Sequence, residues 1–283
     1  MISSYLFDQG DSKGFGDKFR CIRRVETQNS SFEVLEMMSL EGSQNLGMAD
    51  ELYYAAKQGI RPKFIRIRLN NGGVVVEPGM LYLKAGRIGS KTDLGGPGSK
   101  TGGIAAIVGN AVKSALTQES AVKPEYWGEG EIWLKPTFEH YLVLQISEAW
   151  GDIICDKGMF CACDMGVAVS AAANTNSGAL GGEGIWQTKL RGRGCILLKS
   201  PVPASEILVY KMHQDSVQIN GNYVIARAGD IRFTLQRSMD TIAGTLVSGE
   251  GLLQTFEGTG MIFVASTLDV YELGLGKLSV PKE

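Results

Sequence analysis

A Gly-x-Gly step followed by an apolar run occurs three times in this chain. The copies read GEGEIWL from Gly128, GRGCILL from Gly192 and GTGMIFV from Gly258, at intervals of 64 and 66 residues. Each is preceded by a glutamate eight or nine residues earlier, Glu119, Glu183 or Glu250, and followed by an alternating segment: HYLVLQI from His140, EILVYKM from Glu206 and LDVYEL from Leu268. Further upstream, Gly79, Gly158 and Gly221 each open a short apolar run that ends on a second glycine, Gly86, Gly166 or Gly229. Four features in one order, three times over, define an internal repeat from roughly Phe64 to Leu273, and a repeat constrains a fold more than any single motif.

The repeated runs alternate apolar and polar residues over five to seven positions between glycines, which is the strand pattern. Glycine supplies the tight corners between such strands. The 37 glycines in 283 residues, about twice the usual share of about 7 %, are therefore the corners of an all-β protein. LDVYEL is expected to be a strand like its two counterparts. Two segments read as helices instead: Met48 to Gln58, closed by Gly59 as a C-cap, and Ile104 to Leu116, which follows a glycine-rich loop from Leu94.

The formal charge is −2, from 28 Lys and Arg against 30 Asp and Glu, so no global field draws the chain to nucleic acid or anionic lipid. No apolar window reaches the length of a membrane span. The start, Met1 to Gly14, lacks a basic stretch and apolar run, and five cysteines, an odd number, suit a reducing compartment. A cytoplasmic protein is expected.

The stretches VVVEPGMLYLKAG at Val74, GGEGIWQTKLRGRG at Gly181 and SGEGLLQTFEGTG at Ser248, with the glycine-rich insertion before Glu119, carry a resemblance. The chain resembles bacterial relatives of the altered-inheritance-of-mitochondria family, whose fold is grouped with that of the tryptophan RNA-binding attenuation protein. The resemblance spans about Phe32 to Leu273. It departs from the pattern where Gln118-Glu119-Ser120 replaces Gly-Glu-Gly. It implies three tandem β-sandwich or short double-stranded β-helix modules in a pseudo-threefold arrangement, and no enzymatic activity. The expected organisation is an N-terminal arm at 1–31, modules at 32–146 (with the insertion at 94–118), 147–212 and 213–274, and a tail at 275–283.

Candidate chemistry is sparse. GGPGSKTGG at Gly95 suggests a phosphate loop, but Ser99 stands where glycine must precede Lys100. Cys161 and Cys163, two apart on a strand, are expected to share one face, and without two further ligands they read as core thiols rather than a metal site. His140 and His213 lie in no catalytic motif. Neither a cofactor nor a metal is expected. Glu119, Glu183 and Glu250 could crowd three carboxylates near one axis, or could accept hydrogen bonds from turn amides. KFIRIRL from Lys63 puts Arg66 and Arg68 on one face of a strand, either as a phosphate-binding surface or as a face paired with acidic neighbours. Ile104, Ile107 and Val108 lead a small-residue helix that covers its own core or meets a partner or membrane surface.

The structural residues of the repeat are the turn glycines Gly79, Gly158 and Gly221 and the pairs Gly128/Gly130, Gly192/Gly194 and Gly258/Gly260. The functional expectation is a non-enzymatic, self-associating scaffold. The alternative is a nucleic-acid or small-ligand module using the Arg66/Arg68 face or a pocket between modules.

Overall fold

A computed structural model of the protein describes residues 18–40, 42–92, 123–174, 185–220, 223–237 and 252–273. These residues form two antiparallel sheets and two short helices, so the chain is all-β. The first sheet contains β1 (Phe19–Glu26), β2 (Ser30–Met37), β3 (Lys63–Val76), β4 (Leu81–Thr92), β5 (Pro124–Thr137), β6 (His140–Ile146), β8 (Phe160–Asp164) and β11 (Gly194–Ser200). Its strand order is β1-β2-β3-β8-β11-β6, with β5 also on β3 and β4 on β5. The second runs β12-β14-β13-β7-β10-β9, where β7 is Ile153–Cys155, β9 Val167–Asn174, β10 Ile185–Gly192, β12 Ile207–Asn220, β13 Val224–Arg237 and β14 Leu252–Ala265.

One pairing pattern recurs around the three Gly-x-Gly steps. Leu69 lies opposite Gly130, Ile146 opposite Gly194 and Met212 opposite Gly260. On the other flank Gly86 lies opposite Gly130 and Gly229 opposite Gly260. The register on that flank skips one residue in each case, Tyr82, Cys161 and Ile225, as a β-bulge does.

Steric exclusion at the step explains the repeat. A Cβ on Gly130 would sit 2.1 Å from the carbonyl oxygen of Ala85, and one on Gly260 2.1 Å from that of Ala228. Both residues also have positive φ, 151° and 159°. Only glycine lets two backbones approach this closely in this conformation. In the middle copy the consequence is visible: β8 and β11 pair in the first sheet, while β9 and β10, immediately beyond Gly166 and Gly192, pair in the second. In that copy the step is where a strand pair turns from one sheet into the next.

Apolar residues fill both faces of this arrangement. Phe32, Ile65, Ile67, Ile132 and Leu134 pack within the first sheet. A second cluster draws Phe160 and Ile196 from the first sheet and Ile153, Leu190 and Phe263 from the second. Phe256, Phe233 and Ile262 form a third on the second sheet.

Helix α1 (Leu46–Lys57) matches the expected segment within two residues; Asn45 accepts a hydrogen bond from the Met48 N–H at 2.9 Å, and Gly59 has φ 70°. The expected strand at LDVYEL is instead a helix, α2 (Leu268–Leu273). Side-chain bonds hold this turn: Tyr223 donates to Asp269, Thr267 to Glu206, and Tyr271 to Glu206 at 2.9 Å. The insertion at 94–118 lies outside the described residues, as does Gly221.

Gly130→Ala is expected to lower unfolding free energy by about 3 kcal/mol, since it adds a backbone clash to a strained φ. At Gly79, where a Cβ would meet nothing within 4 Å, alanine should cost only about 1 kcal/mol. Urea denaturation of both variants checks the contrast.

Candidate functional site

The expected arginine face exists, and its charge is already neutralised. Along β3, Ile65 and Ile67 point into the core while Arg66 and Arg68 take the other face. Arg66 is only 2 % exposed and lies directly opposite Glu33 of β2 and Trp133 of β5. Its Nε donates to Glu33, and its guanidinium lies 5.5 Å from the centre of the Trp133 ring. Arg24 pairs with the other Glu33 oxygen. Arg68 donates to Glu131 at 3.1 Å, and Trp133 Nε1 donates to the same carboxylate at 3.1 Å. Glu33 and Glu131 hold the arginines that a phosphate would need. Their signal in the sequence was weak, because Glu33 lies in SSFEVLEM, far from β3 along the chain.

Two clefts open between the elements. One, of about 440 Å³, is lined by the β1–β2 turn, Gly72, Gly73, Gln145, Asp164, Met165 and Arg193. Burial raises the Asp164 carboxyl, yet both of its oxygens are engaged, one by Ser30 Oγ at 2.5 Å and the other by the Cys195 N–H at 2.7 Å. This carboxylate ties the β1–β2 turn to the corner at Gly194 and acts as a structural acceptor. The other cleft, of about 620 Å³, includes Lys63, His140 and Tyr141. Desolvation lowers both Lys63 and His140 from their ordinary values. The charged groups that act on His140 are Lys63, Glu206 and Glu36. His213 sits in the β12 bulge, in the other sheet.

The cysteine expectation needs a correction. Cys161 and Cys163 do not share a face: the bulge at Cys161 turns it toward Val143 and Leu197, while Cys163 joins Phe160 and Ile196. Period-two alternation fails wherever a bulge inserts a residue. Both thiols are buried, and desolvation raises both pKa values. Among the described residues no group of three or more His, Cys, Asp and Glu side chains is placed to hold a metal.

What the sheets expose is strand edge. β12 ends the second sheet and β4 ends a branch of the first. Leu208, Val209 and Tyr210, three consecutive residues of β12, are exposed, Leu208 at 54 %. Such an edge presents unpaired backbone groups beside apolar side chains, the arrangement that recruits another strand. Sequence alternation identified the EILVYKM strand but gave no sign that it would stand at an edge. Ile104, Ile107, Val108, Glu119, Glu183 and Glu250 lie outside the described residues. No described helix is long and apolar enough to cross a membrane.

Arg66→Ala should destabilise the fold by about 3–5 kcal/mol, because it leaves Glu33 buried with less counter-charge, whereas Arg68→Ala, at a half-exposed pair, should cost about 1 kcal/mol or less. Thermal denaturation distinguishes them. In the native protein one thiol of five should react quickly with an aromatic disulfide reagent, since only Cys21 is exposed; rapid reaction of two or more would contradict the packing.

A search of curated proteins finds no match. Among solved structures, the crystal structure of a Streptococcus pyogenes protein is similar: 19 % sequence identity, TM-score 0.53, covering 77 % of this chain and 94 % of that one. At that identity the likeness shows a shared fold. The family model described as mitochondrial biogenesis AIM24 matches residues 54–267. That match takes in the Gly-x-Gly steps and most of both sheets, and the chain belongs to the AIM24 family.

Proposed function

We propose that the protein is a non-enzymatic scaffold that self-associates through its open strand edges. The observation that carries this reading is β12, a long edge strand whose Leu208, Val209 and Tyr210 are exposed in succession. A soluble chain normally blunts such an edge with charge, proline or a covering segment. Here the three apolar residues stand at the outermost strand of a six-stranded sheet.

The polar chemistry supports the same reading. Glu33, Arg66 and Arg24 are bonded to one another, and Asp164 is bound to Ser30 and a backbone amide. These groups hold strands together. Three like units, each organised around one glycine step, give the scaffold its shape. The odd cysteine count and the buried thiols suit a reducing compartment, and we place the scaffold in the cytoplasm.

Light scattering over a range of concentrations tests the proposal. The expected mass at micromolar concentration is a multiple of 30.5 kDa. A mass of one chain at every concentration would contradict it.

A further inference from the structure

We infer that the cleft at Lys63 binds a small organic anion, a monocarboxylate with a short apolar tail, its head held by the Lys63 ammonium and its tail laid along β6. This goes beyond self-association and does not depend on it.

The inference starts from Lys63, which is only 5 % exposed. Its ammonium has three donors, yet it makes one long hydrogen bond, to the Arg61 carbonyl at 3.4 Å. It forms no ion pair among the described residues, because Glu36, directly opposite it on β2, is taken by Arg20 at 2.7 Å. The Glu36 charge still acts on Lys63, but burial outweighs it and lowers the lysine from its ordinary value. A buried charge is ordinarily paired and hydrogen-bonded. This one has donors to spare.

The cleft gives those donors something to hold. It encloses about 620 Å³, and Lys63 lines it together with Arg23, Glu36, His140 and Tyr141. His140 stands at the same end, since Lys63, Glu36 and Glu206 all act on it. Tyr141 is 6 % exposed, and its hydroxyl has no hydrogen-bond partner. With Glu36 neutralised by Arg20, Lys63 and Arg23 leave the cleft positive, which favours an anion.

The remaining walls are apolar: Ile22, Val34, Val143 and Leu144 among them. From His140 to Leu144 the cleft follows β6 for four residues, about 13 Å at the usual strand rise. A basic end and an apolar length match an acid with a hydrocarbon tail. One buried ammonium balances one negative charge, whereas a dianionic phosphate would set a second charge beside Glu36. An interposed peptide strand is excluded where β1 and β6 approach within 8 Å, Cα to Cα, because it would need two inter-strand spacings of about 4.8 Å each.

Calorimetric titration with octanoate tests the site. One octanoate per chain is expected, with octan-1-ol, octyl phosphate and inorganic phosphate each at least about tenfold weaker, as the loss of one charge-assisted hydrogen bond implies. No binding at about 1 mM octanoate would overturn the site. Equal affinity for octan-1-ol would overturn the role of the charged head, and tighter binding of either phosphate would overturn the monocarboxylate. Lys63→Met keeps the apolar stem and removes the charge, so affinity should fall at least about tenfold; unchanged affinity would overturn the assignment of the head to Lys63. Ala204→Trp, at an exposed residue of the cleft wall, obstructs the cleft without touching a buried charge. It should abolish binding whether or not Lys63→Met folds, and octanoate binding that survives it would overturn the location.

Discussion

The close approach of two backbones at each Gly-x-Gly step is the constraint on which the rest of the structure depends. Where a Cβ on Gly130 would lie 2.1 Å from the Ala85 carbonyl oxygen, no other side chain can be accommodated without displacing β4. That contact brings β4 against β5 in the register that places Gly86 opposite Gly130, and the register in turn sets which residues face the core. A slip of one residue would turn Ile132 and Leu134 outward and bring charged residues in. The glycine step therefore fixes the register and, through it, the identity of the buried face.

Charge is the second organising element, and it acts locally. Arg66 and Glu33 are almost wholly buried on the face of the first sheet opposite Ile65 and Ile67. The desolvation of each ion is offset by its partner, by the Trp133 ring and by neighbouring charges, an arrangement that specifies pairing more than it adds stability. Arg66 can reach Glu33 only if β2 and β3 take their observed register. The same residues that suggested a phosphate surface in the sequence thus help to determine strand alignment.

What was legible in the sequence was whatever repeated or stayed local. The three glycine steps, the strands around them and the α1 segment with its closing Gly59 all depend on residues close together in the chain. The bulge at Cys161 was hidden, because a bulge depends on which strand lies alongside, and β11 begins about thirty residues later. LDVYEL carried an alternating pattern, but its Asp269 and Tyr271 found partners in Tyr223 and Glu206 that stabilise a helical turn instead. Glu33 as the partner of Arg66, and β12 as an edge, are likewise facts of long-range pairing. Similarity between the copies could reveal the recurring steps, and only the registers could show which strands pair around them.

The account joins these observations into one claim: the glycine steps set the strand registers, and the proposed scaffold associates from one chain to the next through its open strand edges. Small-angle X-ray scattering as a function of concentration tests it most directly. The account predicts a maximum dimension that grows with concentration while the cross-section stays constant, or that stops growing once a ring has closed. A maximum dimension equal to that of one chain at every concentration would contradict it.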